Sequence, residues 1–177
     1  MNCALYFGSF NPVHYGHLSI ARYLVARDDI DEVRIIPSPK NPCKDRSILS
    51  SPELRLAQVR EQFGDISPKL TVSDIEFHLE EPLYTIKTLR HIRQLEPQNN
   101  HILVIGADNI AIIEKWYKWQ EILHEFEIWV YPRKGTDGAA LCKKYSEMEG
   151  VRRILYLADG ELFNISSTEI RNRLKQD

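Results

Sequence analysis

The chain has 177 residues, 43% of them hydrophobic, with a formal net charge of −2 at pH 7. That is enough to bury one sizeable core and short for two, so a single domain over residues 1–177 is expected. A nearly balanced charge gives no broad positive field for a nucleic-acid backbone, and no apolar run approaches the roughly 20 residues of a membrane helix. Small molecules are the expected partners, with no nucleic acid and no membrane. Met1 to Phe7 lacks the charged-then-apolar layout of a secretory signal, and Cys3, Cys43 and Cys142 make neither an even pairing nor a C-x-x-C motif. A reducing cytoplasm suits that pattern.

The first predicted strand is CALYF (3–7), followed by the turn GSFNPVHYGHL (8–18) and a helix near 16–28. EVRIIP (32–37) is the second strand, and the proline- and lysine-rich stretch PSPKNPCKDRS (37–47) reads as a loop. Ser51-Pro52 marks a helix start over 52–63, because serine caps free amides and proline suits the first helical position. KLTVS (69–73) follows as a strand, then a helix over 85–96 in which Ile86, Leu89, Ile92 and Leu95 make one apolar stripe. HILVIG (101–106), a helix near 117–124, EIWVYP (127–132), a helix over 138–149, RRILYL (152–157) and a helix over 167–175 complete the chain. Most strands are almost continuously apolar, as strands buried on both faces are. Alternating β and α elements imply an α/β fold: a Rossmann-like doubly wound parallel sheet with helices on both faces.

In such sheets ligands bind beyond the carboxyl ends of the strands, and the turn after the first strand borders that crevice. Neither G-x-x-x-x-G-K-[ST] nor G-x-G-x-x-G occurs, which argues against a P-loop kinase and an ordinary dinucleotide oxidoreductase. The turn instead offers Gly8, Ser9, Phe10, the turn-fixing pair Asn11-Pro12, and His14 and His17 flanking Gly16. Helix N-terminal amides favour anions there, and two imidazoles add directional donors. A zinc pair is the weaker alternative, since no third and fourth ligand appears at a telling spacing. Turn histidines bonded only to backbone are the blander one. At the far end of the chain, FNISSTEIRNR (163–173) reads as a capping box, yet its hydroxyls and Arg171 also make a second anion cradle. Two cradles on the first and last crossovers suggest a triphosphate held from both sides.

With these two segments the sequence resembles the nucleotidylyltransferase superfamily, whose signatures are a [HT]-x-G-H turn and an I-S-S-T-x-x-R segment. More narrowly it is similar to the bacterial nicotinate-nucleotide adenylyltransferase family. Four middle stretches, LYTIKTL (83–89), VIGADNI (104–110), EKWYKWQEIL (114–123) and VYPRKG (130–135), carry that narrower likeness. The resemblance implies transfer of an adenylyl group from ATP to nicotinate mononucleotide, with Mg²⁺ carried on the ATP phosphates and no protein metal site. It implies catalytic roles for His14, His17 and Arg171, and ATP contacts from Gly8, Ser9, Phe10, Gly16, Asn164, Ile165, Ser166, Ser167 and Thr168. For nicotinate mononucleotide it implies Lys44, Tyr84, Thr85, Gly106, Asp108, Trp116 and Arg133. Plainer readings stand beside these: Asp108 as a helix N-cap, and Trp116, Tyr117 and Trp119 as the packing face of an amphipathic helix. Asn11 and Cys43 depart from the family pattern, which has aspartate and histidine at those positions. Phosphopantetheine adenylyltransferases share the outer motifs, so acceptor choice rests on the middle of the chain. A sibling acting on nicotinamide mononucleotide and a catalytically silent nucleotide sensor also stay open.

Overall fold

Period-two alternation decides how the first strand is used. In β1 (Asn2–Gly8), Cys3 and Leu5 point to one face of the sheet and Ala4 and Tyr6 to the other, all buried. The computed structural model describes residues 1–40, 51–162 and 170. Within them β2 (Glu32–Pro37), β3 (Leu70–Val72), β4 (Asn100–Gly106), β5 (Glu127–Tyr131) and β6 (Arg153–Tyr156) join β1 in one parallel sheet. Its order is β3-β2-β1-β4-β5-β6.

Helices cover both faces, as expected. α1 (Tyr15–Val25) and α2 (Pro52–Phe63) pack Ile20, Leu24, Val59 and Phe63 on the Ala4–Tyr6 face. α3 (Thr85–Leu95), α4 (Ala107–Ile110), α5 (Trp119–Glu125) and α6 (Gly138–Ser146) cover the Cys3–Leu5 face with residues such as Ile86, Leu89, Ile110, Leu123 and Tyr145. The chain therefore grows outward from β1 on one side, then crosses and grows outward on the other. Tyr6 pairs with Ile35 of β2 and with Val104 of β4, so the reversal falls between β1 and β4. Their carboxyl ends, Gly8 and Gly106, flank the crevice that this reversal opens.

The differences from the predicted boundaries have local causes. α1 ends at Val25 rather than 28: the Ala26 N–H donates the last α-type bond, to the Arg22 carbonyl, and the Arg27 N–H tightens onto the Leu24 carbonyl at 3.2 Å. Arg27 then turns away to a bidentate pair with Asp29 (both bonds 2.8 Å) and lies 4.8 Å over the Trp129 ring. α5 starts at Trp119, two residues late, because Lys118 takes a left-handed conformation (φ 55°). α6 stops at Ser146. Leu95 closes the α3 stripe in the sequence but, as the last residue of the helix, is 63% exposed. Ser51 caps α2 as expected, accepting from the Leu54 amide at 3.2 Å. The helix expected over 167–175 falls, apart from residue 170, outside the described residues.

One buried acid ties the β3–α3 connection to α3. Glu76, in the 3₁₀ turn Ile75–Phe77, is 3% exposed, and the Thr88 hydroxyl donates to its Oε1 at 2.8 Å. Burial pushes its carboxyl pKa up despite hydrogen bonds that favour the anion. The native protein thus holds this proton more tightly than the unfolded chain does; that stabilisation is complete below the unfolded value and lost as pH rises through the folded one. Glu76→Gln is accordingly expected to match the parent in urea unfolding near about pH 4 and to be the more stable protein at about pH 7. A stability difference that stays constant across that range would exclude the titration.

Candidate active site

The turn after β1 is shaped by a glycine and an aromatic ring. A Cβ on Gly8 would sit 2.8 Å from the Phe10 ring, closer than real side chains approach, so this position requires glycine. Phe10 itself takes a left-handed conformation (φ 45°), followed by a cis peptide between Asn11 and Pro12. Its ring is 1% exposed and meets Tyr6, Phe63 and His17 edge-on at centroid distances of 5.6, 5.6 and 4.9 Å. That packing bears on the expected ATP contact of Phe10. The side chain is committed to the core beneath His17, which leaves only its backbone for a ligand.

His14 is the N-cap of α1, with extended backbone, and His17 is the third residue of the helix. The His14 amide donates to Nδ1 of His17 at 3.3 Å, so an imidazole closes the helix start where a capping box would use glutamate. An Nδ1 that accepts leaves the proton of the neutral ring on Nε2. The rings stack at 3.7 Å with an interplanar angle of 23°. Two imidazoliums this close would repel each other, and an anionic phosphate alongside would offset that. The backbone-bonded reading is therefore correct for Nδ1 of His17, and it fixes the ring for a functional one. That bond occupies Nδ1 of His17, and the described residues hold no group of three or more His, Cys, Asp or Glu that could bind a metal. Gly16 is buried in the first turn of α1, and Ser9 is buried just before Phe10.

Across the reversal, Gly106 is the N-cap of α4, so Asp108 is its second helical residue and not the cap itself. Asp108 Oδ1 lies 3.5 Å from Nε of Arg133, which follows β5. A Cβ at Gly106 would fall 2.3 Å from Asp108 Oδ1 and 3.0 Å from Arg133 Nε. The glycine is what lets an acid and a base meet at the strand end. Further along, Tyr84 caps α3 and Thr85 opens it, placing helix-start amides at that edge. The Tyr84 ring stacks on Tyr117 at 4.3 Å and 23°. Trp116 is not helical: it follows the 3₁₀ turn Ile113–Lys115 in extended conformation (φ −80°, ψ 141°), half-buried against the core. Trp116 therefore packs on the core without being helical, Tyr117 is neither helical nor part of that core, and the packing-helix reading holds in full for Trp119, whose ring is 6.0 Å from Tyr145.

The structure brings the β1 turn and the Gly106–Asp108 turn to neighbouring strand ends, with Arg133 beside the second. Lys44, Cys43, Asn164, Ile165, Ser166, Ser167, Thr168 and Arg171 lie outside the described residues. Sequence reading missed Arg55 and Glu76, two buried charged side chains next to the turns, and gave Tyr117 no role at the site. An arginine inside an otherwise polar helix carries no local signal of burial. Tyr117 had one, as an aromatic neighbour of Trp116.

Sheet reversal and histidine turn together define an α/β domain of nucleotidyltransferase type. Residues 5–173 match the model of the cytidylyltransferase-like family. The "Probable nicotinate-nucleotide adenylyltransferase" of Cytophaga hutchinsonii is 38% identical over 177 residues, covering 100% of this chain and 88% of the relative. Its counterpart in Bacteroides fragilis is 39% identical over 172 residues, 96% of this chain and 80% of the relative. The fold is shared with a Plasmodium falciparum nicotinic acid mononucleotide adenylyltransferase complexed with NaAD, at TM-score 0.80 and 20% identity over 97% of this chain and 82% of that one. The chain belongs to the cytidylyltransferase-like family, within it to the nicotinate-nucleotide adenylyltransferases. Among the described residues no helix is long and apolar enough to cross a membrane.

Gly106→Ala tests the second turn. The added methyl must displace the Asp108 carboxylate, a flexible neighbour, so the protein should keep its fold while substrate KM rises about tenfold, equivalent to about 1.4 kcal/mol of binding. Steady-state kinetics beside a thermal melt would separate the two, and an unchanged KM would take the Asp108–Arg133 pair out of substrate binding.

Proposed function

We propose that this chain transfers the adenylyl group of ATP to nicotinate mononucleotide, forming deamido-NAD and pyrophosphate in NAD biosynthesis. The observation that carries the reading is the stacked His14–His17 pair at the start of α1, beside the reversal of a sheet shared with this family. Near full-length identity to relatives bearing that name supports the acceptor.

In the proposed reaction a phosphate oxygen of the mononucleotide attacks the α-phosphorus of ATP. A P–O bond forms there while the bond to the β-phosphate breaks, and pyrophosphate departs with the electron pair. Such a displacement needs positioning and charge stabilisation more than a nucleophilic side chain. His14 and His17 are assigned to the α- and β-phosphates, where the Nε2 proton of a neutral His17 suits an oxygen acceptor. Amides at the start of α1, with Gly8, Ser9 and Gly16, complete that side. Arg171 and the hydroxyls of Ser166, Ser167 and Thr168 are assigned to the outer phosphates, and Asn164 and Ile165 to the adenine side. Tyr84, Thr85 and Trp116 are assigned to the nicotinate ring and its carboxylate, Gly106 and Asp108 to the ribose, and Lys44 and Arg133 to the acceptor phosphate. Mg²⁺ enters with ATP as part of the substrate and neutralises phosphate charge. The working unit is a single domain over residues 1–177, and free buried thiols at Cys3 and Cys142 fit a cytoplasmic setting.

Pyrophosphate release from ATP and Mg²⁺ should be strong with nicotinate mononucleotide and weak with nicotinamide mononucleotide or phosphopantetheine. A preference for either of the latter two would overturn the acceptor and leave adenylyl transfer standing; release with none of them would favour a silent nucleotide sensor. His17→Ala is expected to fold and to lose about 10² to 10³ in turnover, the usual loss of a positioned donor at developing charge. Near-normal turnover in the folded variant would remove His17 from catalysis.

A further inference from the structure

Arg55 of α2 is 1% exposed, although arginine is rarely buried so completely. Its Nη1 donates to the Ser9 and Ser38 carbonyls, both at 2.8 Å, and its Nη2 to the Pro39 carbonyl at 2.7 Å. Ser9 lies in the turn after β1, whereas Ser38 and Pro39 directly follow β2. The Ser38 amide donates in turn to the Gly8 carbonyl at 2.9 Å. One guanidinium therefore joins the backbones leaving two adjacent strand ends, on the side of the sheet where the histidine turn lies.

α2 holds the same turn a second time. Phe63, two turns along the helix, meets the Phe10 ring at 5.6 Å, and Phe10 meets His17 at 4.9 Å. The helix thus grips the turn by its backbone through Arg55 and by its side chain through Phe63. Ser9 and Phe10 are consecutive, and Phe10 is in the left-handed region, where an aromatic residue needs support from its surroundings. Lysine cannot copy the arrangement, because a point-like ammonium lacks the planar fork that reaches three separated carbonyls.

We propose that Arg55 is a positioning residue for adenylyl transfer, acting through the Ser9 carbonyl and the Phe10 ring to hold His17 at the reacting phosphates. The proposal rests on the functional reading above. It requires that loss of Arg55 affect turnover through His17 and not merely through the amount of folded protein.

The test compares the wild type, Arg55→Ala, Arg55→Lys, His17→Ala and the Arg55→Ala/His17→Ala double variant. Each is assayed for pyrophosphate release with nicotinate mononucleotide, and turnover is expressed per folded molecule from a thermal melt. Arg55→Ala should lose at least about tenfold in kcat, the scale of a misplaced catalytic group, with smaller changes in either KM. Guanidinium at millimolar concentration should recover part of that loss, sodium chloride of equal ionic strength should not, and Arg55→Lys should stay well below wild type. In the His17→Ala background the same substitution should have little further effect, since residues that act as one unit are not additive. Near-normal kcat in folded Arg55→Ala, an equal loss with or without His17, or failure of both Arg55 variants to fold would each overturn the proposal. An inactive wild type would instead overturn the functional reading, so the two failures are distinguishable.

Discussion

The reversal of strand order between β1 and β4 is the constraint on which the rest depends. Crossovers from β1 run one way along the sheet and those from β4 the opposite way, so two neighbouring strand ends share a crevice. Both of those strands end in glycine, for the same physical reason. At Gly8 a side chain would collide with the Phe10 ring, and at Gly106 with Asp108 and Arg133. The sheet makes the opening, and the absent side chains let ring and charge close in around it.

Polar groups near this opening satisfy one another in ways that also fix geometry. His17 completes a helix cap and is thereby set in one tautomer. Arg55 offsets part of its own burial cost by donating to the carbonyls of two turns, and desolvation still pulls its pKa down. Glu76 is bonded to Thr88, in the second turn of α3, whose first turn contains Thr85. Interactions that look purely structural therefore reach, within one helical turn, the positions assigned to substrate. For the proposed displacement, which depends on positioning, that closeness links the fold to the rate.

Charge at the far end of the sheet is arranged differently. Arg34 of β2 bonds Glu32 at 2.8 Å and Glu96 at 3.0 Å, and the Thr71 hydroxyl donates to Glu32 at 2.8 Å. These groups join β2 to β3 and to the residue that closes α3, each charge meeting an opposite charge or a hydroxyl. At the crevice end, by contrast, helix-start amides and imidazoles gather.

How much of this was legible in the sequence follows from range. Ser51-Pro52, the buried strand runs and the α3 stripe depend on residues within a turn or two of each other, so α2 appears at its predicted limits and all six strands are present. The candidate site was legible at His14 and His17 because their three-residue spacing is also local. Tertiary structure decided what depends on partners far along the chain: that Leu95 is exposed, that the Phe10 ring is core, that Tyr117 stacks on Tyr84, and that Arg55 is buried. An arginine 46 positions from the carbonyl it binds cannot announce that bond in any short pattern. Local spacing specified which elements form and where the histidine turn sits. Only the packing of α2 against two strand ends determined what holds that turn in place, because the energy of burial belongs to contacts that exist only after the chain has folded.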